Sequence, residues 1–138
     1  MHTIFKSVIV VLLGAVLATT ALAQAKPKGT RLTGAELEKL YRTPRGTMIE
    51  AENVFYGSRT SAVYMLNGLT LTQWVDPQRG AGQDTGTWRI SGDTMCVKDQ
   101  VVYSGDETCF RVFKVGDNAY ESWFAERDQQ NSSFRVRP

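Results

Sequence analysis

Ser61-Ala62-Val63-Tyr64-Met65-Leu66-Asn67-Gly68-Leu69-Thr70-Leu71-Thr72-Gln73-Trp74 is the stretch whose reading decides the fold. Two runs rich in β-branched, aromatic and aliphatic residues flank an Asn-Gly pair. That pair suits a two-residue primed turn, which needs positive φ at both central positions. The stretch predicts a hairpin of two strands, near 60–66 and 69–75.

Working outward, similar runs recur between turn signals at Ser91-Gly92-Asp93, Ser104-Gly105-Asp106 and Gly116-Asp117-Asn118. Such spacing belongs to an antiparallel meander. Further strands are predicted near 47–56, 85–90, 94–97, 108–115, 118–125 and 132–136. Upstream, Thr33-Gly34-Ala35-Glu36 has the spacing of a capping box, and Leu37, Leu40 and Tyr41 then fall on one helical face before Pro44. One short amphipathic helix over 34–42, docked on the sheet, is expected.

Period-two alternation assigns the faces. Tyr64 with Leu66, Leu69 with Leu71, Trp88 with Ile90, Phe113 with Val115, and Tyr120 with Phe124 are expected toward the core. Thr70, Thr72, Arg89, Lys114 and Glu121 fall on a mixed face that also holds Val63, Met65, Trp74 and Trp123. A sheet with one apolar face curls to cover it. The expected fold is mainly β: a meander of about eight strands forming a small barrel-like or strongly twisted sheet, plus the helix.

The chain begins with Lys6, an apolar run from Val8 to Ala18, and the small-residue box Ala21-Leu22-Ala23. This is the layout of a secretory signal peptide over 1–23, cut before Gln24; a second box, Ala23-Gln24-Ala25, would shift the cut by two residues. The organisation expected is thus a signal peptide, a flexible lead-in over 24–30, and one β-rich domain over 31–138. The formal charge of +2 for the whole chain becomes +1 once Lys6 is gone. Interspersed charges near neutrality give no footprint for nucleic acid, and no membrane span is expected after cleavage. A monomeric, periplasmic or secreted protein is the expectation.

Cys96 and Cys109 are the only cysteines. An oxidising compartment favours a disulfide between them. The spacing does not suit a redox pair, and two thiols are too few for structural zinc. The sole histidine, His2, lies in the segment expected to be removed. Its loss takes away the usual general base and the commonest metal ligand, so no enzyme activity, metal or cofactor is expected.

The strings Gly86-Thr87-Trp88-Arg89-Ile90, Gly92-Asp93-Thr94-Met95-Cys96, Cys109-Phe110-Arg111-Val112 and Gly116-Asp117-Asn118-Ala119-Tyr120 form an ordered set. Together with the opening Leu32-Thr33-Gly34-Ala35-Glu36-Leu37, they resemble a family of small secreted bacterial proteins catalogued as a domain of unknown function. The resemblance spans about residues 31–125. It implies a Gram-negative periplasmic or secreted setting and no activity.

Carboxylate chemistry survives the loss of histidine. Glu50 and Glu52 share a strand face, but catalytic pairs normally come from different elements around a cleft, and a solvated face is the simpler reading. Asp106-Glu107 and Glu126 with Asp128 read as solubilising charges. The loop from Asp76 to Gly86 holds three glycines without the Gly-Lys-Ser/Thr of a phosphate cradle, and reads as a mobile lid carrying Arg79. Ser132 to Arg137 reads as an edge strand protected by positive charge. Asn131-Ser132-Ser133 matches a glycosylation sequon.

Aromatic residues exceed what one small core needs. Trp74, Trp123, Tyr56, Tyr64, Tyr103 and Phe134 are explained by core and edge packing or by lining a pocket, and Trp74, Tyr64, Trp88 and Trp123, together with Arg79, are the candidate ligand-binding residues. The expected function is a non-enzymatic extracytoplasmic binding module for a small apolar ligand or an envelope protein. At fold level it resembles lipocalin-like, calycin-type carriers and periplasmic inhibitors of cell-wall hydrolases. A carboxylate-dependent hydrolase of an envelope glycan and a structural or stress protein are the other classes.

Overall fold

The computed structural model describes residues 25–138, so the signal peptide over 1–23 and its cut before Gln24 lie outside the described residues. In chain order come β1 (Thr30–Arg31), α1 (Gly34–Tyr41), β2 (Thr47–Asn53), β3 (Arg59–Tyr64), β4 (Leu69–Asp76), β5 (Gly80–Ser91) and β6 (Thr94–Asp99). A 3-10 turn (Val102–Gly105), β7 (Thr108–Gly116), β8 (Ala119–Phe124) and β9 (Gln130–Val136) complete the chain. Strands β2 to β9 pair antiparallel with their sequence neighbours, and β9 returns to pair with β2. Eight strands therefore close into an up-and-down barrel. The ninth, β1, lies along β7 with Thr30 opposite Lys114, so the sheet begins inside the predicted lead-in.

Closure corrects the reading of the C-terminus. β9 is bonded to β2 on one side and β8 on the other, and is no edge. Arg137 is instead ion-paired with Glu50 on the outer surface.

The Asn67-Gly68 hairpin forms, but with a different turn. The Gly68 N–H donates to the Met65 carbonyl, the Met65 N–H donates to Leu69, and only Gly68 has positive φ, at 86°. This is a three-residue loop with glycine in the left-handed position of a bulge. It sets Tyr64 opposite Thr70, one residue away from the register of a two-residue turn. A one-residue slip exchanges the two faces of a strand. Thr70, Thr72 and Trp74 consequently line the interior, whereas Leu66 and Leu69 are exposed, which reverses the predicted faces of β4.

Strand β7 shows a second reversal. Val112 belongs to the core, whereas Phe113 packs outside it against Trp123, with ring centres 6.4 Å apart, and Val115 is exposed. Tyr64, Trp88, Ile90, Tyr120 and Phe124 face the core as expected.

The helix closes one end of the barrel. Thr33 and Glu36 form the reciprocal cap, and Leu37 and Tyr41 are buried. Asp93, in the turn between β5 and β6, accepts a 2.7 Å hydrogen bond from the Gly34 N–H and holds the helix start against the barrel. A side chain at Gly34 would strike the Gly92 carbonyl, its Cβ only 2.4 Å from that oxygen. The disulfide joins Cys96 to Cys109 at directly opposed positions of β6 and β7.

Candidate functional site: the barrel interior

Small side chains leave the barrel unfilled. An interior cavity of about 710 Å³ runs from Tyr41 on the helix to Tyr56, Asp76 and Arg79 at the opposite end. Ala51, Ala62, Thr70, Thr72, Ser122 and Ser132 supply much of its wall, and Tyr64, Trp74, Tyr103, Phe110 and Phe134 supply the rings. An eight-stranded barrel is just wide enough for ordinary side chains to fill it. Here the wall residues are too small to do so.

Strand β5 makes further room for its neighbours. Gly82 lies opposite Trp74, and a Cβ on it would sit 2.3 Å from Cζ2 of the indole. Gly86 lies between Thr70 and Asp99, and its bare backbone lets the Asp99 carboxyl pass over it to accept a 2.9 Å hydrogen bond from the Thr70 hydroxyl. Glycine inside a strand commonly marks such a close approach. The predicted mobile lid over 76–86 is thus mostly strand: only residues 77–79 are loop, held by Asp76 accepting from the N–H groups of Gln78 and Arg79. Those two bonds hold the Asp76 carboxyl below its ordinary range. Arg79 places its guanidinium 4.4 Å from the centre of the Tyr56 ring at the mouth.

The connection between β6 and β7 also borders the cavity. Val101, Val102, Tyr103 and Ser104 form part of the cavity wall, and Val101 is 69% exposed on its outer side. Asp84 anchors this segment. Its two carboxylate oxygens accept from the backbone N–H groups of Thr85, Gln100, Val101 and Val102. Burial opposes the Asp84 charge, but the four donors outweigh it and hold the pKa below the usual aspartate range. Tyr103 and Ser104 take φ values of 55° and 61°, a left-handed conformation unfavourable to residues other than glycine. Tyr103 thereby turns inward, packs on Phe110 and Phe124, and donates its hydroxyl to Asn131. Burial pushes the Tyr103 phenol up to about 12.

Asn131 also receives a bond from Asn53 and donates to Ser122, which is paired with Ser132. The sequon asparagine is therefore a buried part of the wall.

Three charged side chains line the cavity: Asp76, Arg79 and Asp99. Asp99 is 6% exposed, and burial raises its pKa, with the neighbouring Asp84 charge adding to the effect and the Thr70 bond opposing it. Among the described residues, no protein group hydrogen-bonds the Tyr41 or Tyr64 hydroxyl, and burial raises both phenols.

Of the residues singled out by sequence, Tyr64, Trp74 and Arg79 are brought together on the cavity wall. Trp88 sits beneath the floor, its ring 6.0 Å from Tyr41 and its indole N–H donated to the Met65 carbonyl. Trp123 is on the outer face against Phe113, away from the cavity. Glu50 and Glu52 are exposed and point outward; Glu107 pairs with Arg89, and Asp128 with Arg111. Asp84 and Asp99 were missed, although Asp99 follows Met95 and Val97 in phase on β6.

No helix among the described residues is long and apolar enough to cross a membrane. No protein-family model, curated protein or solved structure matches this chain.

Proposed function

We propose that this protein is an extracytoplasmic binding barrel that holds a small molecule in its interior. The observation that carries the reading is the 710 Å³ cavity, whose volume is in the range of small-molecule sites and whose wall alternates rings with isolated polar groups. A barrel serving only as scaffold gains stability by filling its centre, since interiors pack densely. Here Ala51, Ala62, Thr70 and Thr72 give that packing up. The mixed lining favours an amphipathic ligand over the small apolar ligand or envelope protein expected from the sequence.

A hydrolase would need two free carboxylates facing one another. Asp99 is available, but the other acid on the cavity wall, Asp76, lies at the mouth and is engaged by two backbone donors. The geometry therefore favours binding over hydrolysis.

Native mass spectrometry of the protein purified from its own envelope tests the proposal. The expected result is a small-molecule adduct that denaturation releases and that the cavity-filling Ala62→Phe variant lacks. A bare polypeptide mass, together with no thermal shift against a small-molecule panel, would overturn it.

A further inference from the structure

Asp99 stands apart from the other charged groups of the cavity. It lies on one rung with Gly86, Thr70 and Tyr64, well inside the barrel, whereas Asp76 and Arg79 are at the mouth. Asp76 is already satisfied by two backbone donors, and Arg79 rests on Tyr56. Asp99 receives only the Thr70 hydroxyl, on Oδ1. The ion pairs among the described residues, Arg42–Glu38, Arg89–Glu107, Arg111–Asp128 and Arg137–Glu50, all leave it out. A buried carboxylate is costly without a positive partner or a full set of donors.

We propose that the ligand is an organic cation, a protonated amine or amidine on an aromatic or other apolar body, with the Asp99 carboxylate as its counter-ion. The inference rests on the cavity being the binding site. Three features favour a cation over an anion or a neutral ligand. The inner wall offers a negative charge and no positive one. Tyr64 and Tyr103 line the same space, and aromatic rings attract ammonium groups. Gly86 carries no side chain, so the Asp99 carboxyl lies over bare backbone and reaches the cavity wall. The apolar body of the ligand would lie toward Trp74 and Phe134.

Three probes of one shape separate this proposal from the reading beneath it. The oxidised protein is titrated calorimetrically with 1-naphthylmethylamine, 1-naphthylmethanol and 1-naphthoate. The amine should bind at least about tenfold more tightly than the alcohol, which is about 1.4 kcal/mol, and the carboxylate more weakly than either. Asp99→Asn should abolish the preference for the amine over the alcohol, and Asp99→Glu should restore part of it. Equal affinities for amine and alcohol, or a preference that survives Asp99→Asn in a folded variant, would overturn the cation proposal while sparing the cavity. Failure of all three probes to bind would overturn both.

Discussion

The indole of Trp74 lies directly on the backbone of Gly82, with ring carbon Cζ2 2.3 Å from the point a Cβ on that glycine would occupy. The two residues face each other across β4 and β5, and their contact sets the width of the cavity near its mouth. Gly82→Val should expel the indole from its seat. The expected cost is about 1–3 kcal/mol of stability, as for overpacking generally, with a shift in tryptophan emission and weakened ligand binding. Denaturant titration with fluorescence detection checks this. An unchanged spectrum would mean that the indole does not rest there.

Gly86→Ala should be the harsher change. Its Cβ would fall 2.3 Å from the Lys98 carbonyl oxygen and 2.7 Å from the Asp99 Cα, which are backbone atoms that cannot swing aside. Loss of folded protein, seen as low soluble yield or a collapsed melting transition, is expected. A stable Gly86→Ala protein would contradict the strand register.

Asp84 and Asp99 should show opposite pH behaviour. Asp84 has a depressed folded pKa, so its stabilisation is present above the ordinary aspartate value and is lost as pH falls through the folded one. Asp99 has a raised folded pKa, so stability declines as pH rises from the unfolded value through the folded one. At neutral pH, Asp84→Asn should therefore destabilise by roughly 2–4 kcal/mol, because an amide cannot satisfy all the donors, each costing about 1–3 when left unpaired. Asp99→Asn keeps an oxygen for Thr70 and should match or exceed the parent. Urea titrations across the acid and neutral range measure both; equal losses from the two variants would refute the assignment.

Ser104→Gly should stabilise the segment over the mouth by about 1 kcal/mol, because glycine adopts the φ of 61° without steric cost. Thermal denaturation reads the gain. A loss would show that the hydroxyl makes a contact worth more than the strain.

Reduction of the Cys96–Cys109 bond should cost about 3 kcal/mol in the chain-entropy account, for a separation of 13 residues. It should also free the segment that Asp84 anchors. Hydrogen exchange at Val101 and Val102 with and without reductant tests the second effect.

Much of the architecture was legible in the residues. Thr33 and Glu36 announce the helix, and each turn signal falls between two observed strands, because capping and turn chemistry are local. The orientation of β4 was not legible, because it depends on whether Asn67 joins Gly68 in the left-handed conformation or Gly68 takes it alone, and one residue of register decides which face is inside. The glycines from 80 to 86 read as loop because strands seldom hold so many; their reason, room for Trp74 and Asp99, exists only across strands. Asp99 was overlooked for the same cause. An acid in phase with Met95 and Val97 is the one local sign it gives.

The ladder between β2 and β9 joins Ile49 to Val136, whereas every other ladder of the barrel joins strands consecutive in sequence. Hairpins can therefore zip in any order with little loss of chain freedom, and the final seam alone must gather distant segments. Folding of this molecule should be governed by that last encounter, and its speed should respond more to changes at Ala51 and Phe134, which meet across the seam, than to changes within any single hairpin.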